Sequence, residues 1–534
     1  MMAFCAEAHP RHWPARTGNP VPGRIALVLT VAAGVCWALA APPRAWWPLL
    51  PVGAALLTVA LYGRGVRARL LLGGVTGLVF YGTTLLWLSG FTLVGYAGVA
   101  LLETALLATA AGLAPTKHAG WWSGGWWTLP AVLTLLDAVQ TRFPFGGFPL
   151  PSLAFSQIDG PFVEAAPLGG TPLVTLLATG TGVLMAAFFL VSDARRKLMV
   201  AGVGSLLVLT PLGVGAATAA VVTRPVGELD TAVVQGGGPR GLRAVFTDPS
   251  LTTNRHLAVT DAITDSPDLV LLPETVVVVP EAIAGSSGDE TIADRARRLH
   301  ALVVAGVAEM EDTRFHNAAV LWGPDGVRQA RYDKEHLVPF GEYVPGRPLL
   351  ERLTDLTALV PRDAVAGNGE ALLQPAEGPP LGVVISYEIL FPDRVREAVD
   401  SGGQIVLAPT NVASYVTDDV PAIELGAARL RAREFGRTVL LAAPTGYSAV
   451  IGADGHIVAL SELGSAAMLR ERAELRSGLT PYARLGDIPA LVIAVAMVVV
   501  VPLSTAIRRS FWRRAKDEQG RTLTRFRPGS RACS

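Results

Sequence analysis

The segment "GVVISYEILFPD", residues 382–393, is an apolar strand that runs straight into Ser386, Tyr387 and Glu388. A buried strand that ends in small, polar and acidic residues is a usual seat for chemistry, since the sheet holds the end rigid while the side chains beyond it face open space. Runs of the same kind surround it: "LDTAVVQ" (229–235), "PDLVLLP" (267–273), "ALVVAGVAE" (301–309) and "GQIVLAPT" (403–410). Each reads as a buried strand, being short, aliphatic and bounded by turn residues. Helix-like runs lie among them, "DETIADRARRLH" (289–300) and "AIELGAARLRAREFG" (422–436), and the pairs Asp325-Gly326 and Asp454-Gly455 sit between apolar runs as hairpin turns. This alternation predicts one α/β sandwich of mixed sheets over residues 224–485.

Outside that region the composition changes. The 534-residue chain is 51% hydrophobic and only 17% charged, and residues 24–222 hold very little of the charge. About 20 apolar residues cross a bilayer as a helix, and seven candidates precede residue 223: 24–41, 46–62, 70–89, 91–114, 121–139, 172–191 and 198–222. An eighth, "IPALVIAVAMVVVVPLSTAI", covers 488–507. The expected division is therefore an N-terminal segment 1–23, a multi-pass bundle of seven transmembrane helices over 24–223, the α/β domain 224–485, an eighth helix over 486–508 and a basic tail 509–534. With the N-terminus in the cytoplasm, the inner loops carry Arg64, Arg67, Arg69, Lys117, Arg195, Arg196 and Lys197, and the outer ones only Arg44 and Arg142. The positive-inside rule then puts both termini in the cytoplasm and residues 224–485 outside it. A net charge of +1 argues against nucleic acid or another polyanion as partner. Cys5, Cys36 and Cys533 all fall outside the α/β domain, which excludes a disulfide, a thiolate metal site or a thiol nucleophile there. His300, His316 and His336 have no metal-ligand spacing, and neither metal nor cofactor is expected.

Two features of the apolar part stand out. Glu103 lies mid-span, where an ionisable group is costly; it reads either as a neutral carboxyl bonded to a neighbouring helix or as a functional group. The loop "TRFPFGGFPLPSLAFSQ" (141–157), with four Phe, reads as an apolar vestibule or an interfacial anchor.

Glu274 follows "DLVLLP", Lys334 follows "VRQARYD", Glu342 lies in "HLVPFGEYVP" and Ser386 ends "LGVVI". Each singly is an ordinary polar strand end. Together a carboxylate, an ammonium and a hydroxyl make an acyl-transfer set, in which a base accepts a proton, a cation steadies an oxyanion and a nucleophile holds the acyl group. The segment "GRPLLERLTDLTALVP" (346–361) has apolar residues near helical spacing and reads as an amphipathic lid or a packed surface helix.

"LPETVVVVP" (272–280), "YDKEHLVPFGEYVP" (332–345) and "SYEILFPDRVR" (386–396) resemble the three signature blocks of the bacterial apolipoprotein N-acyltransferases, and the likeness runs from the FPFGGFP loop through "VVQGGGPRG" (233–241) to "TGYSAVIGADG" (445–455). The resemblance implies a bundle of about eight helices with a nitrilase-like (αββα) domain inserted before the last helix. It implies transfer of an acyl chain from a phospholipid to an enzyme thiol, and then to the α-amine of the N-terminal diacylglyceryl-cysteine of a lipoprotein. By position it makes Glu274 the general base, Lys334 the oxyanion stabiliser, Glu342 a supporting carboxylate, and Tyr387 and Glu388 the wall beside the nucleophile. In some high-GC bacteria the family's membrane part is joined to a polyprenol-phosphate mannose synthase, which makes that enzyme a candidate partner for the basic tail.

The departure is at the centre, where the family's cysteine is replaced by Ser386. "TNVASYV" (410–416), Pro444 and Tyr447 also drift from the family pattern. A thiol ionises near neutral pH, whereas an alcohol needs a well-placed base. Each factor of ten lost in rate corresponds to about 1.4 kcal/mol. Ser386 is a natural but impaired residue, a competent one in a site retuned for oxygen, or an engineered replacement. The alternatives to acyl transfer are a weak or inactive paralogue that acts as a membrane scaffold or lipid-binding protein, and a membrane-tethered amidase.

Overall fold

Among the described residues seven α-helices carry the apolar N-terminal part: α1 (Gly23–Ala40), α2 (Leu49–Leu61), α3 (Val66–Thr84), α4 (Leu93–Leu113), α5 (Thr128–Gln140), α6 (Ala166–Leu190) and α7 (Ala194–Val222). The computed structural model describes residues 20–114, 127–190, 193–241, 247–352 and 354–499. The expected inner loop at 115–120, most of the N-terminal segment and the basic tail lie outside them.

By length and composition, four helices among the described residues can cross a membrane, fewer than the eight expected: Gly23–Ala40, Leu93–Leu113, Pro161–Leu190 and Lys197–Thr218. Leu49–Leu61 and Thr128–Gln140 are apolar but have only 13 residues. At about 1.5 Å per residue each spans roughly 20 Å of a hydrocarbon core about 30 Å thick. Ile488–Val499 is also shorter and ends at the last described residue. The window expected at 46–62 had run through Pro48, and the first six residues of that at 121–139 lie outside the described residues. Glu103 is fully buried on α4 and accepts a hydrogen bond from Gln140 Nε2 of α5 at 2.7 Å, while the same nitrogen donates to the Tyr81 hydroxyl at 3.1 Å. The carboxyl thus bonds a neighbouring helix.

The rest of the chain builds two sheets. Strands β1 (Arg224–Gln235), β2 (Leu269–Leu271), β3 (Val277–Pro280), β4 (Leu302–Met310), β5 (Arg314–Trp322), β6 (Arg328–Asp333) and β7 (Asp363–Ala364) join the last strand, β14 (Ala467–Ser477), in the order β14-β1-β2-β4-β5-β6, with β3 on β4 and β7 on β5. Strands β8 (Leu372–Leu373), β9 (Leu381–Val383), β10 (Ile405–Pro409), β11 (Val439–Ala442), β12 (Ala449–Ile451) and β13 (Ile457–Leu460) form the second sheet in the order β13-β12-β11-β10-β9-β8. Both Asp-Gly pairs turn antiparallel hairpins, β5-β6 and β12-β13. All five strands expected from the apolar runs are present.

Three apolar layers hold the sandwich. Leu229, Val233, Leu271 and Val304 of the first sheet meet Leu381, Val383, Leu407 and Leu440 of the second. The outer face of the first sheet packs on helices Pro249–Asp261 and Ser287–Leu299. The outer face of the second packs on helices Pro392–Asp400 and Asp419–Phe435, and there the core does not stop: Val384, Ile389, Phe391, Leu430 and Phe435 share one buried cluster with Trp37, Leu133, Phe155 and Phe162 of the apolar part. Polar contacts reinforce that junction. Glu434 accepts from Thr171 N at 2.6 Å and Thr171 Oγ1 at 2.9 Å, and pairs with buried Arg431. Thr171 is presented by a kink at Gly169 and Gly170; Gly170 has φ +61°, and a Cβ there would lie 2.2 Å from the Tyr482 ring. Only glycine allows that approach. The segment 346–361 does not form the single helix expected of it. A four-residue helix, Arg347–Leu350, and a 3-10 turn, Asp355–Leu359, leave Leu349, Leu356 and Leu359 exposed.

Candidate active site

Glu274, Lys334 and Ser386 each stand just beyond a strand, after β2, β6 and β9 respectively. Parallel pairing of β2 with β4 and antiparallel pairing of β4 with β5 and of β5 with β6 bring the first two together. Lys334 Nζ donates to Glu274 Oε1 at 3.0 Å and to Glu342 Oε1 at 2.9 Å, with the lysine 1% and Glu274 4% exposed. Asn317 of β5 cross-links the same two oxygens, its Nδ2 lying 2.7 Å from Glu274 Oε1 and 3.1 Å from Glu342 Oε1. The backbone supports the cluster too: Lys334 N donates to Asn317 O at 2.8 Å, and Val338 N donates to Glu342 Oε2 at 2.8 Å.

Burial alone would neutralise this lysine. The two carboxylates outweigh it and hold the Lys334 ammonium above its ordinary range. The Glu274 carboxyl is pushed up, by burial first; Lys334 opposes the shift and Glu342 adds to it. An ammonium has three donors. Two serve the carboxylates, which leaves one N–H for an oxygen that gains negative charge during a reaction.

Glu388 ties the segment after Lys334 to the strand end at Ser386. Its Oε1 accepts from Glu335 N and His336 N, both at 2.9 Å, and its Oε2 accepts from Ile385 N at 2.7 Å. The Tyr332 hydroxyl lies 2.8 Å and 3.0 Å from the two oxygens, and Arg394 Nη2 donates to that hydroxyl at 3.1 Å. One fully buried carboxylate thereby clamps the residues after Lys334 to the residue before Ser386. Tyr387 does not face this cluster; its hydroxyl donates to Gly147 O, at 2.9 Å, in the 141–157 loop.

Ser386 has φ +52°, in the left-handed region that a side chain with a Cβ rarely adopts, and so does Thr275 beside Glu274. Such backbone costs about 1–3 kcal/mol and persists where the surroundings force it. Asn411 Nδ2 donates to Thr275 Oγ1 at 2.8 Å. Among the described residues the Ser386 hydroxyl makes no hydrogen bond to Glu274 or Lys334. It donates to Glu424 Oε1, at 3.4 Å, on helix Asp419–Phe435, and Thr410 Oγ1 donates to the other oxygen of Glu424 at 2.6 Å. Tyr415, beyond Thr410, packs edge-on against Trp87 and Phe91, each with ring centroids at 5.3 Å. The connection between α3 and α4 therefore packs against the loop beyond Thr410.

The sequence brought Glu274, Lys334, Glu342 and Glu388 forward, and all four lie in one network. It missed Asn317 and Glu424. Asn317 interrupts the apolar run of β5, and Glu424 falls on the same helical stripe as Val420, Ile423, Ala427 and Ala428; a polar residue inside a buried stripe was the available signal.

Residues 33–184 match the family model for the apolipoprotein N-acyltransferase N-terminal domain, and residues 231–469 match that for carbon-nitrogen hydrolases. The apolipoprotein N-acyltransferase of Methylococcus capsulatus is 30% identical over 518 residues, covering 93% of this chain and 98% of its own length. That of Photobacterium profundum is 29% identical over 87% of this chain and 92% of its own, and that of Mycolicibacterium smegmatis 28% identical over 91% and 86%. With both halves matched in order and nearly the full length aligned, the chain belongs to the apolipoprotein N-acyltransferase family.

Proposed function

We propose that this protein is an apolipoprotein N-acyltransferase, moving an acyl chain from a membrane phospholipid to the α-amine of the N-terminal diacylglyceryl-cysteine of lipoproteins. Family membership supplies the reaction class. The observation that carries the chemistry is the buried ammonium of Lys334 between Glu274 and Glu342, clamped through Glu388 to the strand end that presents Ser386. Ser386 holds the acyl group as an oxygen ester, and Lys334 donates its remaining N–H to the tetrahedral oxyanion. Glu274 removes the proton of the incoming amine, and that proton returns to the Ser386 oxygen as the ester breaks. Glu342 and Asn317 hold the lysine in place, and Tyr387 anchors the wall to the 141–157 loop.

The α/β domain lies on the extracytoplasmic side, with the shorter apolar helices and α3 also embedded. The clustering of Arg64, Arg67, Arg69 and Lys197 on one set of loops supports this orientation. Cysteine labelling at position 44 and at position 64 with a membrane-impermeant reagent in intact cells tests it; labelling of position 64 rather than 44 refutes it. The basic tail 509–534 is the segment proposed to meet a polyprenol-phosphate mannose synthase, which pull-down with and without the tail examines.

The function itself is tested by incubating the purified full chain with a labelled phospholipid and a diacylated lipopeptide. Triacylated product, with an acyl adduct on Ser386 by intact mass, is the expected result. No adduct on either the parent or Ser386→Cys protein refutes it in favour of a non-catalytic, lipid-binding relative.

A further inference from the structure

We infer that Glu424, rather than Glu274, takes the proton of Ser386 when the acyl-enzyme forms. The inference rests on the acyl-transfer reading above and concerns how an oxygen nucleophile is activated in it.

Contact comes first. Among the described residues, Glu424 Oε1 is the acceptor of the Ser386 hydroxyl, while Glu274 Oε1 is committed to Lys334 Nζ and Asn317 Nδ2. The contact, not the basicity of Glu274, decides which carboxylate stands ready for the serine proton. The separation of 3.4 Å is longer than the roughly 2.6–3.2 Å of a working proton-transfer hydrogen bond, as is common before substrate binds.

Aim comes second. Thr410, at the end of β10, holds Oε2 at 2.6 Å and so fixes which oxygen faces the serine. Glu424 is 4% exposed on a helix face where its neighbours Val420, Ile423, Ala427 and Ala428 are apolar. A carboxylate placed among such residues is expensive unless something uses it.

Basicity comes third. Burial pushes the Glu424 carboxyl up to about 7; the charge of Glu274 adds to this, while the hydrogen bonds from Thr410 and Ser386 and the charge of Lys334 oppose it. Among the described residues Tyr415 also interacts with Glu424, and burial keeps that phenol neutral. A carboxylate of this kind is a better proton acceptor than an ordinary one and is about half ionised at neutral pH. Retuning the base offsets part of what is lost in exchanging sulfur for oxygen.

The step balances. As Ser386 Oγ bonds to the carbonyl carbon of the phospholipid ester, its proton passes to Glu424 Oε1 and the carbonyl oxygen becomes an oxyanion. Collapse breaks the bond from that carbon to the glycerol oxygen. The departing lysophospholipid oxygen takes the proton back from Glu424, leaving the acyl group on Ser386.

The test is a cycle in the full-length detergent-purified protein. Parent, Glu424→Gln, Ser386→Cys and the double variant are incubated with labelled phosphatidylethanolamine–phosphatidylglycerol mixed micelles, and adduct formation is timed by intact mass between pH 5.5 and 8.5. The parent rate should rise about tenfold per pH unit below pH 7 and level above it. Glu424→Gln should lose at least about 100-fold, in line with removal of a general base, and lose that pH dependence. In the Ser386→Cys background, where the thiol supplies its own anion, Glu424→Gln should change the rate less than about threefold. Equal losses in both backgrounds mean that Glu424 only supports the fold, and the inference fails. Adduct on Ser386→Cys but none on the parent also overturns it, leaving the acyl-transfer reading intact. Adduct on neither overturns both.

Discussion

Replacing Glu388 by glutamine changes one oxygen into an NH2 group and almost nothing in volume. The carboxylate receives three backbone N–H donors and the Tyr332 hydroxyl in a fully buried pocket. If the amide oxygen takes the Oε1 position, it keeps Glu335 N and His336 N, and its NH2 points at the Ile385 N–H. In the other orientation two backbone donors are lost. The least damaging variant therefore loses one hydrogen bond to a charged group, worth about 1.5–3 kcal/mol, and weakens two others from charged to neutral. A total near 3 kcal/mol corresponds to a fall in Tm of about 6–12 °C for a domain of this size. Thermal unfolding of the detergent-solubilised chain, followed by tryptophan fluorescence, reads it directly. Glu397→Gln is the control: that carboxylate is half-exposed beside Arg394, and such pairs contribute about 1 kcal/mol or less. A Glu388→Gln protein whose Tm falls no further than the control's would refute the idea that one buried anion couples the lysine and serine segments.

Two more expectations follow from the same network. Lys334→Met leaves Glu274 and Glu342 facing each other without their cation, a loss of about 3–5 kcal/mol where both are ionised; the Glu274 carboxyl is already raised, so its protonated form is the one that folding favours, and the stability deficit should grow as pH rises from 5 to 8, measured as the Tm difference from parent at each pH. Gly306→Ala on β4 would place a Cβ 2.4 Å from the Cα of Glu274 and from Pro273 O, so it should cost about 1–3 kcal/mol and slow adduct formation, whereas unchanged Tm and rate would show that the β2–β4 approach does not set the position of Glu274.

Much of this was legible in the chain itself, and the exceptions have physical reasons. Strands such as β4 and β10 are continuous aliphatic runs, which only a sheet covered on both faces can bury, so their alternation with helices disclosed the sandwich. Glu274, Lys334 and Ser386 were visible because polar residues end those runs. Asn317 and Glu424 were not, because each sits inside an element and acquires its partners only through the pairing of β5 with β6 or the docking of a helix on the second sheet. Glu424, which accepts the Ser386 hydroxyl's hydrogen bond, consequently went unseen. Helix count erred for another reason: windowed apolarity does not register where a helix begins, and α2 begins only after Pro48, so that α2, like α5, has 13 residues. The segment 346–361 had helical spacing, yet the Thr354 side chain accepts from Leu356 N and starts a separate 3-10 turn, so two short turns form.

The buried cluster shared by Phe391, Leu430 and Phe435 with Trp37 and Phe155 has a practical corollary for anyone wishing to work without detergent. A fragment cut at residue 224 is not a catalytic unit relieved of its anchor. It would bare an oily flank, abandon the buried Arg431–Glu434 pair without Thr171, and release the Tyr387 hydroxyl from Gly147. Solubilising this protein calls for redesigning that flank, not for trimming.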